Sequence, residues 1–167
     1  MKMIDAMLGE MDQEAKTTRR VLANVPEDKL GWKPHEKSMS LGQLSTHVAT
    51  IPGNIAQIVV PDSFDVSGFK ETKLNTRAEI LAALDKSVAS AREILGPMDD
   101  AKMMGMWSLT MGGKPGLQMP RIAVIRAILL NHWYHHRGQL SVYLRLLNIP
   151  VPSIYGPSAD ENPFMPK

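Results

Sequence analysis

A cluster of imidazole side chains lies in the last third of the chain, in the segment NHWYHHRGQL. This segment, residues 131–140, holds three of the five histidines of the 167-residue sequence. Positions four residues apart lie on the same face of an α-helix. His132 and His136 have this spacing, so a helix here places both imidazoles side by side. Neutral imidazole nitrogen is a common ligand of divalent metal ions.

The helix face that carries this pair is otherwise apolar. Its other members are Ile125, Ile128, Leu129, Leu140, Tyr143 and Leu147. Both imidazoles should therefore point into the protein, where an unpaired polar ring costs about 1–3 kcal/mol. A cation bound through both rings would satisfy them. His135 lies about 60° around the helix from His132 and is the alternative to His136 as a ligand.

A third histidine occupies a second apolar helix face. His47 stands in a stripe with Leu44, Ile51, Ile55 and Ile58. If this helix packs beside the one with His132 and His136, three imidazoles converge. Three histidines leave coordination positions open, as in catalytic metal sites. His35, in a loop beside Pro34, is given no role. The sequence has no HExxH motif, since Trp133 follows His132.

The composition excludes several classes of function. The chain has no cysteine, which rules out disulfides, thiolate ligands and a cysteine nucleophile. Its net charge of +2 is spread along the sequence rather than concentrated in a Lys/Arg run, so nucleic acid is not expected as a partner. The longest apolar run, IAVIRAILL, is too short to span a bilayer. We expect a cytoplasmic protein with no membrane partner.

Hydrophobic periodicity predicts four helices, at residues 2–24, 41–60, 77–95 and 120–148. Capping boxes at Ser40–Gln43 and Thr76–Glu79 mark two helix starts. Pro52 should kink or divide the second helix. Residues 98–119 are interpreted as an ordered loop, in which MWSLTM could form a short extended piece. The pattern predicts an all-α, four-helix bundle. It forms a single domain, 1–167, with the proline-rich tail 149–167 packed on the bundle.

The block NHWYHHRGQLSVYLRLLNIPVPSIYGPSADE resembles the C-terminal region of the DinB/YfiT-like family, in its HxxxH pair, in RGQL and in the tail. The segment SLGQLSTHVATIPGN resembles the family's lone histidine after a helix start. The resemblance implies up-down-down-up topology with a long crossover between the second and third helices. It also implies a divalent metal ion, commonly nickel or zinc, held by His47, His132 and His136. Dimers are common in the family, and DNA binding is not implied.

These observations favour a metal-dependent enzyme acting on a small molecule. The resemblance implies transfer of a low-molecular-weight thiol to an electrophile, and metal-assisted hydrolysis is the other reaction considered. The alternative is a non-catalytic, metal-binding stress-response protein whose ion is structural. A further alternative is a site without an ion, in which the histidines bond to one another. The sequence shows no clear fourth ligand, which favours the enzyme. No catalytic residue is assigned.

The expected neighbours of the site come from the same helix and from the tail. They are His135, Arg137, Gln139, Tyr143, Tyr155 and Asp160. Arg137 is expected to be solvated, and the alternative is a contact with an anionic substrate. Gln139 would either orient a metal ligand or belong to a homodimer seam. Val124, Trp133 and Val142 lie on other faces of the helix, which suits a homodimer, although burial within one chain would give the same pattern.

Overall fold

The computed structural model describes residues 1–70 and 72–165 and is mostly helical. The helices are α1 (Met3–Ala23), α2 (Leu41–Ile58), α3 (Arg77–Leu95), α4 (Asp100–Met104), α5 (Arg121–Val124) and α6 (His132–Leu146). A π-helical segment, Ile125–Asn131, joins α5 to α6 without a break. The strands are β1 (Ser63–Asp65), β2 (Met106–Met111) and β3 (Lys114–Pro120). The predicted domain and tail extend to residue 167, and residues 166 and 167 lie outside the described part.

Both predicted capping boxes are confirmed. Ser40 Oγ accepts a hydrogen bond from the Gln43 amide at 3.2 Å, and Gln43 Oε1 accepts one from the Ser40 amide at 2.8 Å. Thr76 and Glu79 exchange the equivalent bonds at 3.1 and 3.2 Å. These bonds satisfy amides that a helix start otherwise leaves unpaired. They therefore fix where α2 and α3 begin.

The long helices bury apolar faces against one another. The core members on α1, α2, α3 and α6 include Ile4, Leu8, Met11, Leu44, Val48, Ile51, Ile80, Leu84, Leu95, Trp133, Leu140 and Leu144. Four long helical stretches correspond to the four predicted helices. The connection between α2 and α3, residues 59–76 with residue 71 outside the described part, contains β1 and a 3₁₀ turn at Val66–Gly68. The up-down-down-up order stays a prediction.

Pro52 lies inside α2 without dividing it, so the predicted division is wrong. α2 continues unbroken from Leu41 to Ile58. Proline has no amide N–H and cannot bond the carbonyl four residues earlier, which is that of Val48. The next amide, of Gly53, donates instead to Ser87 Oγ on α3 at 2.7 Å. A Cβ at Gly53 would lie 3.1 Å from Ser87, so glycine permits this close approach.

The prediction of an all-α fold is wrong for residues 98–119. This stretch contains α4 and most of a hairpin, and β2 pairs with β1 in parallel and with β3 antiparallel. The hairpin turns at Gly112 and Gly113, whose φ angles are 57° and 74°. Glycine adopts such positive φ angles with little steric strain. Asp65 accepts hydrogen bonds from both glycine amides, at 3.2 and 2.8 Å, which fixes the turn against β1.

The sheet covers the C-terminal end of α2. Trp107 on β2 is fully buried, and its indole N–H donates to the carbonyl oxygen of Ile58 at 3.0 Å. Arg121, also buried, donates to the carbonyl oxygen of Val59 at 2.6 Å. None of the described helices has the length and the apolar character needed to cross a bilayer.

The proline-rich tail contacts α1 and α6. The side-chain amide of Asn24 donates to the carbonyl oxygen of Pro150 at 3.0 Å. Arg20 on α1 forms an ion pair with Glu161. Asp160 pairs with Arg145 near the end of α6. These contacts hold the tail alongside the two helices up to residue 161.

Candidate metal centre

The structure brings His47, His132 and His136 together. Their ligand nitrogens all lie within 4.8 Å of one another. The Nε2 atoms of His47 and His132 are 3.5 Å apart, and those of His132 and His136 are 2.8 Å apart. His47 comes from the middle of α2, whereas His132 and His136 stand one turn apart on α6. All three rings are half-buried, so the cluster lies at the edge of the core.

The spacing of the three nitrogens suits a tetrahedral metal ion. With Zn–N bonds of about 2.0–2.1 Å, tetrahedral ligands lie about 3.3–3.4 Å apart. The 3.5 Å between His47 and His132 is close to this value. The 2.8 Å between His132 and His136 is shorter by about 0.5 Å. The three imidazole nitrogens, all within 4.8 Å of one another, form a donor set whose chemistry suits a divalent metal ion.

Two of the rings are oriented by hydrogen bonds on their far side. His132 Nδ1 lies 3.2 Å from the carbonyl oxygen of Ile128, one turn earlier in the helix. His136 Nδ1 lies 2.7 Å from Oε1 of Gln139. Each contact places the ring proton on Nδ1, because both partners are acceptors. The Nε2 lone pairs of both rings then point into the cluster, as a metal ion requires.

The electrostatics of the cluster favour neutral imidazoles. Burial lowers the pKa of His47 to about 4, and repulsion from His136 and His132 contributes to the shift. Burial, followed by the neighbouring His136, lowers the pKa of His132. Burial also lowers the pKa of His136, although the hydrogen bond to Gln139 opposes this. Neutral imidazole is the form that binds metal ions, so the site needs little deprotonation near pH 7.

A hydrogen bond beside the cluster joins the two helices that carry it. Trp133 is fully buried, and its indole N–H donates to the carbonyl oxygen of Val48 at 2.8 Å. Trp133 follows His132 in the chain, and Val48 follows His47. The Val48 oxygen is available because Pro52 cannot donate to it. The bond therefore holds α2 and α6 together at the level of the histidines.

A π-helical segment precedes the histidine pair. It spans Ile125–Asn131 and ends immediately before His132. Segments of this kind are rare and often occur at functional sites. The segment still buries Ile125, Leu129 and Leu130. Its wider winding sets the rotational position from which α6 starts.

His135 and Tyr143, two of the residues predicted to surround the site, are not members of the three-histidine group. His135 is exposed, with its ring centre 5.0 Å from that of His136, and it is not part of the three-histidine group. The geometry therefore favours His136 over His135 as the third member. The hydroxyl of Tyr143 donates to the carbonyl oxygen of Met39 at 3.2 Å, outside the cluster. His35 lies in the loop before α2, where its Nδ1 accepts from the amide of Lys37.

The prediction of a solvated Arg137 is wrong. Its side chain is only 1% exposed and pairs with Glu14 on α1 at 2.5 Å. It also donates to the hydroxyl of Tyr155 at 2.7 Å, and its guanidinium carbon lies 5.3 and 5.1 Å from the ring centres of Tyr134 and Tyr155. A buried charge needs such partners. Arg137 thus joins α6 to α1 and to the tail.

Two predicted tail neighbours have structural partners. Tyr155 bonds Arg137 and donates to Glu14 at 3.1 Å. Asp160 pairs with Arg145 and accepts from the amide of Val151. Three residues are predicted from the sequence to suit a homodimer interface. Val124 and Trp133 are buried within the chain, whereas Val142 is 56% exposed.

Sequence reasoning missed the polar contacts that α1 makes with the π-helical segment and with α6. Glu10 forms a two-bond ion pair with Arg126 and accepts from the hydroxyl of Tyr134 at 2.9 Å. Burial and the hydrogen bond to Glu10 raise the pKa of Tyr134 well above its ordinary range. Glu10 and Glu14 lie one turn apart on α1. They contact Tyr134 and Arg137, which lie three positions apart on α6. This spacing is the signal that could have revealed the contact.

Comparison with known proteins places the chain in a family. The model of the DinB family matches residues 1–163. An uncharacterized protein of Bacillus subtilis strain 168, YrdA, is 24% identical over 160 residues, which cover 95% of this chain and 91% of YrdA.

Solved structures are similar in fold. A DinB-like protein from Bacillus cereus ATCC 10987 superposes with a TM-score of 0.70 at 20% identity, covering 91% of this chain and 97% of the other. YjoA, a DinB-like protein from Bacillus subtilis, gives 0.67 at 19% identity, with 87% and 95% covered. These similarities concern the fold, and the match to the family model extends over nearly the whole sequence. The chain belongs to the DinB family.

Proposed function

We propose that His47, His132 and His136 bind one divalent metal ion and that the protein is a metal-dependent enzyme acting on a small molecule. The observation that carries this proposal is the convergence of three ligand nitrogens within 4.8 Å, two of them on rings oriented from behind. Nickel or zinc is the expected metal, since imidazole suits both. Family membership supports the same reading.

Three protein ligands leave room for a further ligand on the ion. Within residues 1–70 and 72–165, no fourth histidine or carboxylate joins the group. All three rings are half-buried, so a small molecule can approach from the solvent side. This arrangement is typical of catalytic sites, whereas structural zinc sites have four protein ligands. It therefore favours the enzyme over a protein whose ion only stabilises the fold.

The chain's own residues would prepare the site for chemistry. A divalent ion supplies Lewis acidity, which lowers the pKa of a bound water or thiol. Ile128 and Gln139 keep the Nδ1 protons of two ligand rings in place, and Trp133 holds the two ligand-bearing helices together. The proposed reaction, which rests on the family resemblance, is transfer of a low-molecular-weight thiol to an electrophile, with hydrolysis by activated water as the alternative.

Cobalt substitution tests the proposal. Full-length protein, purified without a histidine tag and loaded with Co²⁺, is titrated with a simple thiol. We expect a thiolate-to-cobalt absorption band that saturates at one thiol per chain, and none in His132→Ala. A cobalt spectrum that stays unchanged at saturating thiol would mean that no position is open, which would contradict the catalytic proposal.

We propose in addition that the chain forms a homodimer through α6. Val142 and Leu146 are 56% and 57% exposed and lie one turn apart on the outer face of this helix. Contiguous exposed apolar patches mark interaction sites, and we propose that this pair forms part of one. Sedimentation of the wild type and of Val142→Lys would test it, because the variant should shift towards monomer. The cytoplasmic location stays a prediction.

A further inference from the structure

A cavity of about 690 Å³ opens at the N-terminal end of α2. Its walls come from the loop between α1 and α2, from the first turns of α2 and from residues 72–75 before α3. Pockets for small molecules commonly measure about 300–1,000 Å³. We call this space the α2 cavity.

The α2 cavity adjoins a small crevice that His47 lines. A narrower crevice along α2 is lined by His47, and it shares Gln43, Thr46 and Thr72 with the cavity. Gln43 precedes His47 by four residues, which is about 6 Å along a helix. The cavity and the ring of His47 are therefore neighbours along α2.

The capping box preorganises the wall between the cavity and the cluster. Ser40 and Gln43 both line the cavity, and their reciprocal hydrogen bonds of 3.2 and 2.8 Å fix their side chains. Thr46 is almost completely buried and cannot move far. A wall that is already in place lowers the entropy cost of binding.

Three charged side chains of the described ranges line the α2 cavity. Lys33 and Lys73 line the cavity but not the crevice beside His47. Glu27 also lines it, so the described charged residues of the wall leave one excess positive charge. Neither lysine forms an ion pair with another residue of the described ranges. Leu30 and Leu74 supply apolar surface between the polar groups.

We propose that the α2 cavity binds the substrate of the metal centre, and that this substrate is an elongated organic acid. Its metal-binding group lies at the histidines, and its anionic group lies at Lys33 and Lys73. The apolar wall contacts the chain between the two ends. This inference rests on the proposed function, because it needs a metal ion at the cluster.

Two thiols that differ only in their far end test the proposal. The Co²⁺-loaded protein is titrated at pH 7 with 8-mercaptooctanoate and with 8-mercapto-1-octanol, and the cobalt–thiolate absorption reports binding. Exposed ion pairs give modest energies, so we expect the carboxylate to bind about threefold to tenfold more tightly. The double variant Lys33→Ala/Lys73→Ala should lose most of this preference.

The matched control is Lys37→Ala. Lys37 is an exposed lysine in the same loop as Lys33 and does not line the cavity. It should retain the preference for the carboxylate. Equal affinity for the two thiols, or an equal loss in Lys37→Ala, would overturn the assignment of the cavity while the metal–thiol band persists. A missing band with both thiols would instead refute the proposed function, and the inference with it.

Discussion

Trp133 donates its indole N–H to the carbonyl oxygen of Val48 at 2.8 Å, and Pro52 is the reason that this oxygen is available. Pro52 therefore leaves one carbonyl oxygen of α2 without its helical hydrogen bond at the point where α6 packs against α2. The two helices meet there through a buried hydrogen bond, one residue away from His47 and from His132. The hydrogen bond therefore fixes the relative position of the two helices that carry the histidines.

Replacing Trp133 by Phe keeps an aromatic ring and removes the donor. The Val48 oxygen then loses its partner inside the core, which costs about 1–3 kcal/mol of the free energy of unfolding. Because α2 and α6 are no longer tied at the histidines, we also expect weaker metal binding. Urea unfolding and calorimetric titration with Zn²⁺ measure the two effects separately.

Trp107→Phe is the matched control for this variant. Trp107 is equally buried and bonds the carbonyl oxygen of Ile58, at the other end of α2. It should lose a similar amount of stability and keep its affinity for Zn²⁺. Equal zinc affinities in the two variants would show that the Trp133 bond has no role in the metal centre.

Gln139 should support metal binding through His136. In Gln139→Leu the Nδ1 proton of His136 loses its acceptor at 2.7 Å, so the ring is no longer held in the orientation that presents Nε2. Outer partners of metal ligands typically contribute 10- to 100-fold in metal affinity. We therefore expect a loss of about this size in the affinity for Zn²⁺, measured by competition with a chelating dye.

Two further variants separate this role from a general effect of the surface. Gln139→Glu restores an acceptor and should recover most of the affinity. Gln57→Leu changes another exposed glutamine, on α2, and should leave the affinity unchanged. A normal affinity in Gln139→Leu would refute the orienting role.

The stability of the metal-free protein should depend on pH through the histidine cluster. The pKa of His47 is about 4 in the folded chain and about 6.5 in an unfolded one. The unfolded state thus binds more protons between these values, so the free energy of unfolding falls as pH drops from about 6.5 towards 4. The pKa of Asp65 is lowered by hydrogen bonds from the Ser67 hydroxyl and the Gly113 amide, so this carboxylate does not contribute in this range.

Urea unfolding of chelator-treated protein at pH 6.5 and pH 5.0 measures this dependence. His47→Gln removes one of the titrating groups, so its stability should fall less over the same interval. An identical fall in the variant and the wild type would exclude His47 as a source of the pH dependence.

The sequence was sufficient to predict the long helices and the histidine cluster. Ser40–Gln43 and Thr76–Glu79 are local signals, because a capping box joins residues three positions apart. His132 and His136 share a face through helix geometry alone. His47 needed one further assumption, that two apolar faces pack together, and the structure confirms that the three rings meet.

The missed features have different physical causes. β3 is exposed at most positions and contains proline and glycine, so it has no alternating pattern, and its pairing with β2 depends on the Gly112–Gly113 turn. The burial of Arg137 depends on Glu14, more than a hundred residues earlier. The π-helical turns before His132 likewise have no sequence pattern that distinguishes them from an α-helix.

Arg137→Met should reduce stability strongly. The substitution leaves Glu14, whose side chain is 13% exposed, without its charged partner. Breaking a buried ion pair costs about 3–5 kcal/mol, and the partial exposure of Glu14 places the loss near the lower value. Urea unfolding measures it. Arg145→Met, which breaks the exposed pair with Asp160, should lose much less, and equal losses would contradict the buried role of Arg137.

The metal content of the untagged protein tests the central claim most directly. Elemental analysis after dialysis against Zn²⁺ or Ni²⁺ should find one ion per chain in the wild type and almost none in His47→Ala, with the helical content unchanged by circular dichroism. His35→Ala, which removes a histidine outside the cluster, should keep one ion. A His47→Ala variant that retains its ion at full stoichiometry would contradict the three-histidine metal centre.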